Sequence, residues 1–266
     1  MKKTLLATAA VMAITALPVV SHAQDAAAEA ASPLSFNIGA VTDYRFRGIS
    51  QTRLQPAVQG GADYAAANGL YIGTWLSTIK WIKDAGTING VDTGSADVEW
   101  DIYGGYRGEI QKDFTYDVGV LTYIYPGNHY DNIPGAKKAG TTEIYGALTF
   151  GPATVKYSHA VTSLFGTAST DKDSKNSGYL EAAATFDVGG GYAVTPHVGY
   201  QHVNHFNDFS YTDYAVTGTK DFFGLTFSLA AIYADTKKIN GVDAYVGPNG
   251  KNLARATVVF GVKKVF

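Results

Sequence analysis

The chain is predicted to be an all-β protein, a closed antiparallel transmembrane β-barrel of about 12 strands. Three observations predict it. Apolar and polar side chains alternate, mostly over segments of about 9–11 residues, the length a tilted strand needs to cross hydrocarbon. The connections between these segments alternate between longer and shorter along the whole chain. Aromatic residues crowd the segment ends that meet at the short connections.

Composition agrees. The 266 residues include 18 Tyr, 13 Phe and 30 Gly beside 8 Pro, with 17% charged side chains, a profile of strands and turns. The opening MKKTLLATAAVMAITALPVVSHA reads as a signal peptide over residues 1–23: Lys2 and Lys3 precede a short apolar run broken by Pro18, and Ser21-His22-Ala23 supplies small residues for cleavage. Residues 24–33 are then a short periplasmic segment and 34–266 the barrel, which places the protein in the outer membrane of a Gram-negative bacterium. Past residue 23 no run approaches the roughly 20 apolar residues of a spanning helix, which excludes a multi-span helical protein. Losing Lys2 and Lys3 from 21 basic residues against 23 acidic ones moves the net charge from −2 to −4. That balance argues against a nucleic-acid partner, which would demand a basic patch. There is no cysteine, which is compatible with export.

The elements follow in order. Residues 34 to 46 put Leu34, Phe36, Ile38, Ala40, Tyr44 and Phe46 on one face. Ser35, Asn37, Asp43 and Arg45 lie on the other, in phase with Arg47, so the apolar face is expected in lipid and the charges in the lumen. Segments 56 to 65 and 69 to 78 are weaker, and the second is apolar on both faces and has no readable orientation. Residues 96 to 109 oppose Val98, Trp100, Ile102 and Tyr106 to Asp97, Glu99, Asp101, Arg107 and Glu109. Residues 114 to 125 oppose Val118, Val120 and Ile124 to Asp117 and Tyr123; residues 141 to 150 oppose Ile144, Leu148 and Phe150 to Glu143 and Tyr145. Strands at 153 to 160, 179 to 187 and 192 to 201 come next, the last weakened by Pro196, which has no N–H for a ladder. Those at 211 to 221, 223 to 231 and 255 to 266 complete the set.

The connections run GISQTRLQ, AAN, 79 to 95, IQKD, 126 to 140, GP, 161 to 178, VGGG, 203 to 210, DF and 234 to 254. A membrane barrel has tight periplasmic turns and extended outer loops, whereas a soluble sandwich has no reason to sort its loops by parity. Tyr64, Tyr106, Phe114, Phe150, Tyr192 and Phe222 stand at the short-turn ends, where an interfacial girdle belongs. The last strand ends on Phe266 in phase with Val258, Phe260 and Val262, the kind of terminal signal handed to the barrel-assembly machinery. Lys264 interrupts that apolar face and is expected to snorkel near the interface.

Several segments resemble the proteobacterial TorF-like family of outer-membrane porin-like proteins. The carrying residues are Asp43-Tyr44, Arg47-Gly48-Ile49-Ser50-Gln51, Pro56-Ala57-Val58-Gln59-Gly60-Gly61 and Gly69-Leu70-Tyr71-Ile72-Gly73-Thr74-Trp75. Glu99-Trp100-Asp101, Tyr125-Pro126-Gly127, Thr142-Glu143-Ile144-Tyr145 and Gly199-Tyr200 extend the likeness over most of the mature chain. The resemblance implies an outer-membrane porin and adds no substrate or catalytic residue.

The candidate functional residues are the charges expected to line the lumen. The acids are Asp43, Asp97, Glu99, Asp101, Asp117, Glu143, Glu181 and Asp213; the bases are Arg45, Arg47, Arg107 and Lys156. Rings of charge bias ion selectivity, while cross-strand pairing is the plainer role for each residue. The acidic excess points to cations. Arg47 with Glu99 and Asp101 forms a candidate guanidinium–carboxylate network, and loops 79 to 95 and 234 to 254 are expected to set the constriction. No metal, cofactor or catalytic site is expected. His202 and His205 lack further ligands, and Ser158 and His159, adjacent on a strand, point to opposite faces, which disfavours an outer-membrane hydrolase. The expectation is a passive channel for ions or small solutes, with outer-membrane lipids as its surroundings. The alternative is a plugged structural or surface-interaction barrel.

Overall fold

The computed structural model describes residues 32–266; the expected signal peptide, residues 1–23, and residues 24–31 of the short segment expected after it lie outside the described residues. The first seven staves are β1 Leu34–Val41, β2 Ala57–Ala65, β3 Leu70–Thr78, β4 Val98–Gln111, β5 Phe114–Ile124, β6 Thr141–Phe150 and β7 Ala153–Ala160. β8 has two pieces, Gly178–Ala184 and Phe186–Gly189, and is followed by β9 Tyr192–His202, β10 Tyr211–Phe222, β11 Leu225–Asp235 and β12 Thr257–Val265. Each pairs antiparallel with the next, and β12 returns to β1 from Asn37↔Val265 to Val41↔Gly261. The twelve staves therefore close, and no barrel edge is left unpaired. Among the described residues no helix is long and apolar enough to cross a membrane.

The break in β8 has a local cause. Ala183 pairs with His197 and Phe186 with Val194 in unbroken register. The Thr185 amide donates to Pro152 O at 2.9 Å, so Ala184 turns its polar groups toward β9, where Pro196 has no N–H to give. Thr185 and Thr195 bridge the gap through their hydroxyls at 3.0 Å.

The outer face is apolar from end to end. Ile38, Val58, Ile72, Val120, Ile144 and Val216 are all exposed on it, a surface that only hydrocarbon satisfies. The segment at 69 to 78 is now oriented: Leu70, Ile72 and Leu76 face outward, while Tyr71 and Trp75 pack with the interior. Exposed Tyr64, Tyr106, Phe150, Tyr192 and Phe222 ring the short-turn end. A second ring, absent from the sequence expectation, consists of Trp100, Tyr157, Tyr200, Tyr214 and Tyr233 at the loop end. Tyr214 and Phe222 are eight positions apart on β10. At about 3.3 Å per residue and a tilt of about 40°, that is roughly 20 Å of height, close to the ~25 Å apolar band of such barrels. Lys264 sits on the outer face at the short-turn rim with its ammonium 5.1 Å from the Phe266 ring.

One expectation needs correction. The first strand does not run to residue 46; it ends at Val41, and residues 42–55 fold into the barrel. Asp43 starts the turn: its carboxylate accepts from Ser50 Oγ at 2.6 Å and Arg45 Nε at 2.8 Å, with Thr52 Oγ1 at 3.2 Å. A short hairpin follows, Arg45–Phe46 against Ile49–Ser50. Its two-residue tip has positive φ at Arg47 (47°) and Gly48 (80°), as the tight turn matched to strand twist requires. Tyr44 and Phe46, expected in lipid, are thus interior: Tyr44 is 1% exposed, and Phe46 packs edge-on against Tyr123 and Phe165.

Candidate functional site

The hairpin spans the lumen and is held by the wall on several sides. Arg47 donates to Glu143 through both terminal nitrogens, at 3.0 and 2.7 Å, and to Gln201 Oε1 at 2.7 Å. Its guanidinium lies 4.7 Å from the Phe46 ring and 4.2 Å from Tyr179. This is the bidentate, stacked geometry that suits arginine and not lysine. The Arg45 guanidinium bonds Gly48 O, Arg255 O and Thr257 Oγ1 at 2.9–3.0 Å. The Tyr44 hydroxyl donates to Glu99 at 2.5 Å, and Tyr125 donates to the other oxygen of Glu99 at 2.8 Å. Gly48 reaches the far wall, where an added Cβ would stand 2.7 Å from Asp213 Cβ. Every charged group on the hairpin therefore has a partner, and the tube is filled at this level.

The loops close it from above. Helix α1, Trp81–Asn89, places buried Ile82 in the same cluster as Tyr44 and Tyr125. Arg53 beside the hairpin is ion-paired to Asp84 of α1. From the other side, Ile49 packs with Tyr211, Ala234, Leu253 and Ala254. The constriction is thus made by residues 42–55, with 79 to 95 and 234 to 254 as its lid.

Toward the short turns the lumen opens. Arg107 and Asp117 pair at 2.8 Å with 40% and 24% of their side chains exposed. Tyr71 donates to Asp117 at 2.5 Å, and Tyr103 donates to Asp63 at 2.5 Å. Lys156 is buried with its ammonium 4.5 Å from the Tyr145 ring and is the ladder neighbour of Glu181. Back at the level of the hairpin, on the wall that Gly48 reaches, buried His197 stands between Glu181 at 3.2 Å and Asp213 at 3.5 Å, and Tyr179 donates to Asp213 at 2.8 Å.

The sequence-predicted residues are placed as follows. Glu99, Asp101, Arg107, Asp117, Glu143, Lys156, Glu181 and Asp213 face the interior from the staves, while Asp43, Arg45 and Arg47 reach it on the hairpin. Asp97 does not: it precedes β4, is 60% exposed, and bonds Lys83 of α1 at 2.5 Å. The network expected between Arg47 and Glu99 with Asp101 is also corrected. Arg47 binds Glu143, Glu99 is held by tyrosines, and neither oxygen of Asp101 has a hydrogen-bond partner. Sequence reasoning missed Asp63, His197 and Gln201, though their strand parity with assigned neighbours was available. Ser158 lies on the inner face of β7 and is buried, with His159 on the opposite face. Among the described residues no group of three or more His, Asp or Glu side chains could hold a metal ion.

An apolar outer belt, two aromatic rings and a charged interior define a transmembrane β-barrel of the porin-like fold. Within that class, the chain belongs to the family described as "Bacterial protein of unknown function (Gcw_chp)", whose model matches residues 25–266. The match establishes this family and does not test the TorF-like resemblance. Two solved structures resemble it with TM-score 0.52 at 9% identity, covering 87% of this chain and 99% of theirs: "KdgM porin" and "KdgM porin in complex with disordered oligogalacturonate". A NanC porin structure has TM-score 0.49 at 10% identity, over 87% of this chain and 98% of that chain. Comparison with curated protein sequences finds no match.

Proposed function

We propose that the protein is a non-enzymatic, porin-like channel of the outer membrane for ions or small polar solutes, closed in the conformation described here by residues 42–55. The observation that supports this best is the chemistry of the closure. The hairpin is held in the tube by ion pairs and hydrogen bonds to polar walls, groups that water satisfies equally well once the hairpin withdraws. A solute entering from the short-turn end meets the hydrated Arg107–Asp117 vestibule and then the hairpin. Twelve strands make a narrower tube than the roughly 16–18 of general porins, which suits a gated passage for small solutes. Export, outer-membrane lipids as surroundings and assembly through the strand ending in Phe266 belong to the same reading.

A second reading, a permanently plugged structural barrel, is favoured by the burial of Tyr44, Arg45 and Arg47. Planar-bilayer recording of the purified protein separates the two. Discrete conductance steps, rare in the native protein and frequent when residues 43–52 are replaced by a short Gly/Ser linker, support the channel. Silence in both forms, with the barrel intact by circular dichroism, leaves the plug reading.

A further inference from the structure

The charges around the seated hairpin do not balance locally. Glu143 is matched by Arg47 at 2.7 Å. Glu99 is met only by the neutral hydroxyls of Tyr44 and Tyr125. Asp101, two residues further along the same face of β4, is 0% exposed, and neither carboxylate oxygen has a hydrogen-bond partner. It lies on the interior face between its ladder neighbours Trp75 and Tyr123, in the field of Glu99 and Glu143. A carboxyl buried with neither donor nor counter-charge has nothing to hold it ionised in the closed state, and it gains its charge when water enters the tube.

We propose that Glu99, Asp101 and Glu143 form a cation-recognition track of the pore, and that the Arg47 guanidinium occupies its Glu143 end in the closed state as a tethered substitute for the permeating cation. The proposal rests on the channel reading above. Asp43 and Arg45 pair within the hairpin, so its withdrawal removes one uncompensated positive charge, that of Arg47, from the wall. Tyr44 leaves Glu99 in the same movement. Three carboxylates on β4 and β6 then face the water of the open tube with Lys156 of β7, the ladder neighbour of Glu181, as the wall cation still near them, and a mobile monovalent cation takes Arg47's place. The site is a short succession of carboxylates and not a cage, since no three acidic or histidine side chains among the described residues converge on one point. A conducting site needs this looseness, because the ion must also leave.

The test is the reversal potential in planar bilayers under a KCl gradient, with the full mature chain. Arg47→Gln is expected to open the pore and give a K+/Cl− permeability ratio of about five or more, and adding Asp101→Asn is expected to bring it toward about one. Asp97→Asn, outside the lumen, is expected to leave the ratio unchanged. Should Arg47→Gln not assemble, the same pair of ratios is read in Gly48→Ala, with and without Asp101→Asn. An open pore that prefers chloride, or whose ratio ignores both Asp101→Asn and Glu99→Gln, overturns the cation site and leaves the channel standing. A folded barrel that never conducts in any of these variants overturns both.

Discussion

Replacing Gly48 by alanine tests the gate at its tip. The residue has φ of +80°, a conformation that costs an L-residue about 1–2 kcal/mol. The added Cβ would lie 2.7 Å from Asp213 Cβ and 3.0 Å from Ala234 Cβ. These atoms belong to the barrel wall, which moves little, so the hairpin must give way, at about 1–3 kcal/mol for overpacking. Taking roughly 2–5 kcal/mol together, and a factor of ten per 1.4 kcal/mol, the unseated population rises about 30- to 4,000-fold. Open probability in single-channel recordings reads this directly. Gly250→Ala is the control: it has φ of +74° and nothing within 4 Å of the added Cβ, so it carries the strain without the collision. An unchanged open probability in folded Gly48→Ala protein, or an equal rise in Gly250→Ala, would refute the reasoning.

Three further outcomes are expected. Val120→Arg, mid-belt on β5 between Gly104 and Ile144, should destabilise the barrel by about 2–4 kcal/mol, whereas Lys264→Ala at the rim should change it by no more than about 1 kcal/mol; urea titration in lipid vesicles compares them. Asp173 ties two loops together. Burial pushes its carboxyl up, but hydrogen bonds from Lys137, Ser163 and the Lys175 amide outweigh that and hold it below the usual range. With the folded value depressed, its contribution is present above the unfolded value of about 3.9 and is lost as pH falls through the folded one. Hydrogen exchange in 161 to 177 should therefore accelerate below pH ~4, beyond the intrinsic pH trend, and Asp173→Asn should remove that step. Deleting Phe266 removes the two backbone bonds it exchanges with Phe36 at 2.9 and 3.3 Å, and should slow the appearance of folded barrel in pulse-labelled membranes.

Period-two alternation made the barrel legible because lipid and water enforce opposite chemistry on neighbouring side chains. Val118, Val120, Ile144 and Leu148 took the outer face that their parity assigned. The same rule misplaced Tyr44 and Phe46. An apolar side chain pressed into a filled lumen and one dissolved in lipid look alike in the sequence, so alternation carried on past the strand's true end at Val41. The local sign was the turn chemistry of Asp43, Arg47-Gly48, Ser50 and Thr52, which favours folding back over extension. Asp97 failed for a related reason: it shares parity with Glu99 but stands ahead of the first paired residue of β4. Arg47 and Glu143 are 96 positions apart, and their meeting depends on the register of several staves, which no local pattern encodes.

Filling a membrane barrel with polar contacts has an energetic consequence that an apolar plug would not share. Removing one partner of a buried pair such as Arg47–Glu143 costs about 3–5 kcal/mol, because the other charge is stranded. Withdrawing the whole hairpin strands neither partner: Glu143 faces an opened, hydrated tube and Arg47 reaches water. The bias toward closure then falls to the ring contacts of Tyr44 with Trp75 and of Phe46 with Tyr123 and Phe165, at about 0.5–1.5 kcal/mol each beyond area burial. A total of a few kcal/mol is the range in which a minor open state stays populated. Trimming Phe46 to leucine should therefore raise open probability by about tenfold while leaving ion preference untouched, since no charge moves. A shift in preference without a change in opening would place Phe46 in the ion path and not in the latch.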